Sequence, residues 1–217
     1  MSTKAAVRTP EPSEADQLFI DFANTARRIR GRVDDVIPDA ETLLDWLREH
    51  GLLSARGRAT EAARLRRDPA EAERRLERFQ HLRDLLHATA ADISQDGEAQ
   101  REQVTEINHV LRHGLHYHQL RAEQDGTRYE ITQVGDRLDQ ARAAIASSLA
   151  HFLADDNASR LRICANDACR WLFVDRSPAG RRRWCDMRTC GNQAKVARHR
   201  ARLKQQASGV SAAVEAV

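Results

Sequence analysis

All four cysteines of the chain fall within one short stretch, CANDACRWLFVDRSPAGRRRWCDMRTC. Cys164 and Cys169 enclose four residues, Cys185 and Cys190 enclose four more, and fifteen separate the pairs. Thiolates are soft donors, and two short loops joined by such a spacer can bring four of them to the corners of a tetrahedron, as a structural zinc site requires. Two disulfides are the competing chemistry. The opening MSTKAAVRTPEPSEADQ is polar and carries two prolines, without the apolar centre of an export signal. A reducing cytosol is therefore expected, and there paired cysteines favour metal over disulfide. The expectation is one Zn2+ ion per chain, held by Cys164, Cys169, Cys185 and Cys190. Four thiolates leave no open position for water, so the metal would be structural.

The charge around these cysteines has a pattern of its own. Residues 160–206 carry thirteen Arg or Lys against only Asp167, Asp175 and Asp186, while the rest of the chain has 22 basic and 29 acidic residues. The formal net charge of +3 therefore conceals a basic segment joined to an acidic one. Arginine enrichment of the whole chain would not segregate charge in this way, whereas a polyanion-binding module attached to an acidic domain would. After Cys190, GNQAKVARHRARLKQQ reads as a helix. Wound at about 100° per residue, it places Asn192, Val196, His199 and Leu203 on one side, suited to packing, and Lys195, Arg198 and Arg202 in a cationic stripe beside it. With Arg181, Arg182 and Arg183 just before Cys185, the stripe makes DNA the expected partner. Gln193 at the helix start is the candidate base reader, because its amide can pair bidentately with adenine. Trp171, Phe173 and Trp184 read as a small core rather than as stacking platforms.

RWLFVD, RSPAG and RRRW read as strand, turn and strand, delivering the chain to Cys185. A knuckle, a hairpin and a helix bearing the last ligand near its first turn make a treble-clef-like zinc finger. So short a segment buries little core, and structural zinc, worth ~10–16 kcal/mol in finger peptides, would supply much of its folding free energy. Upstream the chain is mainly α. LFIDFANTARRI reads as a helix through Ile29, and PDAETLLDWLREHGLL as one capped by Asp39 and stopped by Gly51. The longest helix starts at Pro69 and carries Leu76, Phe79, Leu82, Leu86 and Ile93 on one side. Two more cover 99–113 and about 136–153. Between them, LHYHQLRAEQDGTRYEITQV alternates around Asp125-Gly126 and predicts a small β-hairpin. The expected division is a helical domain at 16–153, the polar boundary ADDNAS, a finger at 160–206, and loose tails at 1–15 and 207–217. The two parts are expected to have separate cores, so that the helical part folds without zinc. No run approaches the ~18 apolar residues of a membrane helix.

The pattern C-x4-C-x-x-L-F-V-D-x-S, followed by R-R-W-C-x4-C-G-N-x-x-K-V-x-R-H-R-x-R, resembles the CGNR zinc finger, a family named for Cys-Gly-Asn-Arg. IDFANT at 20–25 and LLDWLREHGLL resemble the ABATE helical domain that usually precedes this finger. The resemblance spans nearly all of 16–205 and implies a stress-related transcription regulator. Gln193 stands where the family has its namesake Arg, which leaves the zinc ligands intact and changes any contact that Arg makes.

Asp21, Asn24 and Thr25 are candidates for a small-molecule pocket that would make the helical domain a sensor. The alternative is that Asp21 pairs with an arginine while Asn24 and Thr25 bond nearby backbone. His109, His113, His116 and His118 read as a solvated cluster, since no carboxylate or thiol completes a ligand set in the sequence. No nucleophile–base pair, phosphate loop or paired-carboxylate signature marks an enzyme. The function expected is a cytoplasmic, zinc-dependent DNA-binding transcription regulator, its helical domain sensing a small-molecule effector or mediating a homodimer. A single short finger helix reads few bases, which favours dimerisation. The competing readings are an adaptor that grips a protein or RNA, and an enzyme with its pocket in the helical domain.

Overall fold

The computed structural model describes residues 14–29, 32–122, 129–155 and 158–214. Helix α1 (Glu14–Ala23) is shorter than the sequence predicts. The Thr25 hydroxyl donates to the Phe22 carbonyl at 2.7 Å, an interaction that competes with helix propagation. Residues predicted to continue the helix instead form β1 (Ala26–Ile29), antiparallel to β2 (Arg32–Asp35). Helix α2 (Ala40–Glu49) starts where the Asp39 carboxylate accepts from the Thr42 amide at 2.8 Å, and Gly51 past its end has φ 72°, a left-handed stop that suits glycine. Helix α3 (Ala55–Arg67) has no counterpart in the sequence reading, because its arginines leave few apolar positions to mark a period.

Helix α4 (Pro69–Asp96) runs for 28 residues from a proline in its first turn. Helices α5 (Arg101–His113) and α6 (Arg137–Ala154) follow, joined through the antiparallel strands β3 (Tyr117–Ala122) and β4 (Tyr129–Val134). The predicted Asp125-Gly126 turn lies outside the described residues. Helix α1 packs centrally against α4 and α6, with Phe22 edge-on to Trp46 and Phe79 at 5.2 and 6.0 Å between ring centroids. Leu82, Leu86, Leu138, Ile145, Leu149 and Phe152 complete the interior.

The finger opens with β5 (Leu161–Ile163) and β6 (Leu172–Val174), antiparallel partners that flank the first cysteine pair. The predicted pairing of RWLFVD with RRRW is therefore corrected: β6 pairs backwards, with β5. Residues between β6 and Cys185 instead wrap around the buried Asp175 carboxylate. It accepts from the Ser177 amide at 3.0 Å, the Ser177 hydroxyl at 2.7 Å and the Arg182 amide at 2.7 Å. A single wide helical turn at Met187–Gly191 leads into α7 (Asn192–Val214), which runs through residues that the sequence reading left as a loose tail.

The two parts do not have separate cores. Leu161 and Leu172 are buried in the same apolar cluster as Phe19, Phe22 and Leu86, with Ile163 and Val174 packed against it. A smaller cluster of Cys164, Phe173 and Cys190, edged by Trp171 and Trp184, surrounds the cysteines. The Asn24 side chain secures the junction: its oxygen accepts from the Leu172 amide at 2.9 Å and its nitrogen donates to the Leu172 carbonyl at 3.0 Å. One side-chain amide thus acts as a third strand along the outer edge of β6.

Candidate metal centre and nucleic-acid interface

The four cysteine sulfurs lie within 4.8 Å of one another and none is in a disulfide. Cys169 Sγ is 3.6 Å from Cys185 Sγ, which is 3.8 Å from Cys190 Sγ. A tetrahedral ion with ~2.3 Å bonds to sulfur needs edges of ~3.8 Å, so these spacings fit zinc with little adjustment. Backbone bonds set the first pair: the Cys164 amide donates to the Trp171 carbonyl at 2.8 Å and the Cys169 amide to the Asn166 carbonyl at 2.8 Å. Arg170, next in line, has φ 58°, a left-handed conformation that the tight knuckle imposes on a non-glycine residue. The Ala165 amide donates to the Arg183 carbonyl at 2.8 Å and so ties the knuckle to the approach to Cys185.

The second pair is fixed by side chains. The Arg182 guanidinium donates to the Cys185 carbonyl at 2.6 Å. Asp186 caps the turn that carries Cys190, accepting from the Arg188 and Thr189 amides at 2.6 and 2.9 Å. A Cβ on Gly191 would sit 2.8 Å from the Met187 sulfur and 3.4 Å from the Trp184 ring, so a larger residue here would have to displace the Met187 side chain. Burial pushes the Cys169 thiol up to about 11 and raises Cys185 further. At Cys190 burial is outweighed by hydrogen bonds from Asn166 and the neighbouring thiols, and the pKa falls. A pocket of this kind resists four bare thiolates and accepts them once a cation is among them. The four cysteines constitute a site for one structural zinc ion.

Arg181, Arg182, Arg183, Lys195, Arg198 and Arg202 are all exposed. Among the described residues, none of the six is paired with a carboxylate, whereas ten arginines of the helical domain are, with Arg56, Arg67, Arg101, Arg112 and Arg121 left without such a partner there. There Arg75 meets Glu71, Asp136 and Asp139, Arg83 meets Asp35, and Arg58 meets Glu41 and Asp45. Two of the six also have internal tasks. Arg182 lies over the Phe173 ring at 5.3 Å and Arg183 over Trp184 at 5.4 Å. Gln193 Oε1 accepts from Asn166 Nδ2 at 2.9 Å, which ties the start of α7 to the knuckle and leaves the Gln193 amide nitrogen for an outside partner. Val196, His199 and Leu203, expected to pack inwards, are exposed instead.

Each residue singled out in the first domain has a partner within the chain. Asp21 accepts from Gln17 Nε2 at 3.0 Å rather than from an arginine. Asn24 holds β6, and Thr25 is buried between the Phe22 carbonyl and Arg83, whose NH1 reaches its hydroxyl at 3.1 Å. None of the three lines the cleft of about 600 Å3 that opens between α4 and the knuckle beside His87, Asp167 and Arg170. Asp35, Arg83 and Asn166 hold this region together and were missed, because single polar residues in arginine-rich helices and short loops carry no periodic signal. The His109 and His113 rings lie 4.3 Å apart, tilted by 54°, on exposed surface, and among the described residues only the cysteines gather three or more ligating side chains. Among the same residues no helix is long and apolar enough to cross a membrane.

A helical domain sharing its core with a four-thiolate finger defines a two-part zinc-finger protein. Residues 160–203 match the CGNR zinc finger family. Residues 16–156 match the ABATE family, described as "Putative stress-induced transcription regulator", and the chain belongs to that family. Neither is a family of enzymes. Comparison with the curated proteins returns no match.

Proposed function

We propose that the protein regulates transcription by binding DNA through the face of the finger that bears Arg181, Arg182, Arg183, Lys195, Arg198 and Arg202. In this reading zinc fixes the shape of that face and takes no part in chemistry. The observation that carries the reading is the contrast in pairing among the described residues: Arg48, Arg66, Arg74, Arg78 and Arg137, exposed on the helical domain, have carboxylate partners, while the exposed arginines of the finger have none. Unneutralised cations clustered on one face attract a polyanion and release its counterions on contact. The helical domain would then sense an effector or pair two chains, setting whether or how the finger meets DNA. Exposed Val196 and Leu203 favour a second reading, an adaptor whose α7 grips a protein.

Fluorescence anisotropy with duplex DNA over a salt series separates the two. Five to seven phosphate contacts give a log–log slope of about −5 to −6, and changing Lys195, Arg198 and Arg202 together to Ala flattens it by about three units. An unchanged slope in that triple variant removes α7 from a DNA interface and favours the adaptor.

A further inference from the structure

The five most exposed large apolar side chains among the described residues are concentrated in one place. Leu115 is 78 % exposed, Tyr117 62 %, Leu120 63 %, Tyr129 69 % and Ile131 68 %, all on the β3–β4 ribbon or at its base. Every residue of β3 is exposed, so the ribbon stands away from the body. A two-stranded ribbon in water is marginal by itself and gains independent stability when a third strand, a helix or another sheet covers it. The register places Leu120 opposite Ile131 and Ala122 opposite Tyr129, with His118 next along the same face. Arg121 is opposite Glu130, which puts the ribbon's charged pair of positions on the other face.

We propose that this ribbon is a self-association arm, its Leu120–Ile131 face meeting the same face of a second copy of this chain about a twofold axis. Symmetry explains the distribution of charge. Where a surface meets itself, residues near the axis face their own copies, so any charge there would oppose an identical charge. The Leu120–Ile131 face carries no Asp, Glu, Lys or Arg at its His118, Leu120, Ala122, Tyr129 and Ile131 positions, so nothing at these positions repels its own copy.

The area matches a weak, reversible dimer. At ~200 Å2 for a fully exposed large side chain, Leu115, Leu120, Tyr129 and Ile131 leave on the order of 550 Å2 uncovered, below the ~800 Å2 that each partner gives to a standard interface. Leu120, Tyr129 and Ile131 make the centre, with Leu115 at the base of the ribbon, while Tyr117 alternates with them and lies on the Arg121 face.

The test is sedimentation equilibrium of the zinc-loaded full chain without DNA, across the micromolar range. The expected mass is twice 24.5 kDa, falling towards 24.5 kDa on dilution. The Leu120→Arg/Ile131→Arg double variant should self-associate at least ~100-fold more weakly while keeping its zinc content and helical circular dichroism. Tyr129→Lys serves as an independent second variant with the same expectation. Arg121→Ala, on the opposite face, should leave the dimer intact. A wild-type chain that stays at 24.5 kDa throughout overturns the proposal whatever the variants do, and so does a double variant that dimerises as well as the parent. Because DNA is absent from the measurement, either failure leaves the DNA-binding reading untouched.

Discussion

Asn24 is the residue whose replacement says most about how this protein is built. Asn24→Ala removes two hydrogen bonds, of 2.9 and 3.0 Å, to the backbone of Leu172. Leu172 is only 1 % exposed, so water cannot readily replace them. Each intramolecular hydrogen bond is worth ~0.5–1.5 kcal/mol, and a buried group left without a partner costs ~1–3 kcal/mol. The loss should therefore be about 2–4 kcal/mol, or roughly 4–16 °C in Tm for a chain of this size. Asn24→Asp should do no better than Ala, because it keeps the acceptor for the Leu172 amide but sets a carboxylate against the Leu172 carbonyl. The assay is urea unfolding followed by far-ultraviolet circular dichroism, together with the rate of zinc transfer to a chromogenic chelator. Zinc should leave the variants faster, since β6 is then held only by β5 and its apolar contacts. A change below about 0.5 kcal/mol, with unaltered zinc transfer, would refute the tether and return Asn24 to a ligand-binding role.

Replacing any one of Cys164, Cys169, Cys185 or Cys190 with Ser should drop bound zinc below one per chain by elemental analysis. It should also lower the Tm of the helical signal by at least roughly 2–4 °C, about 1 kcal/mol, because the β5–β6 sheet contributes to both cores. A chain ending at residue 158 loses Leu161 and Leu172, each worth ~1.5–3 kcal/mol of burial, and should be less stable by about 3–6 kcal/mol in urea; stability equal to the parent would contradict the shared core. Burial holds the His87 pKa below its ordinary value although its Nε2 faces the Ala23 carbonyl at 2.8 Å. The neutral ring is thus favoured in the folded chain, and its contribution, full above pH 6.5, is lost as pH falls through the depressed value. His87→Gln should flatten the fall of Tm below pH 6.5, and a difference between the two proteins that does not vary with pH would refute this. Gln193→Arg removes the acceptor for Asn166 and should shift DNA preference from adenine towards guanine in a binding-site selection. An identical selected motif would exclude position 193 as a base reader.

The zinc site was legible in the sequence because ligation depends on residue type and spacing, and both survive without three-dimensional context. Helices with strong periods or caps were legible for a similar reason: Asp39, Pro69 and Gly51 mark their ends through local backbone chemistry. What escaped was set by partners distant in sequence. The Ala26–Ile29 strand could have continued α1 on its own pattern, and its pairing with Arg32–Asp35 decides otherwise. RWLFVD reads as a strand but cannot declare its partner, and it pairs with LRI upstream rather than RRRW downstream. Asn24 looks like a pocket residue because a side-chain amide serves ligand and backbone equally well. Only the position of Leu172, far along the chain, distinguishes the two.

The β5–β6 sheet explains why a boundary visible in composition is not a boundary in packing. Side chains alternate across a strand, and on β6 Leu172 and Val174 face the helical core while Phe173 between them joins the cluster around the cysteines. One thin sheet is therefore a wall shared by two interiors, one maintained by helix packing and the other by metal. Removing the metal takes support from Phe173 and Cys164, and the strands that bear Leu161 and Leu172 loosen with them. In the opposite direction, a disturbance of α1 reaches the finger through Asn24 within a single side chain's length. Zinc occupancy and helical packing are thus coupled states of one structure, and the charge of the finger is presented in a fixed orientation only while both are intact.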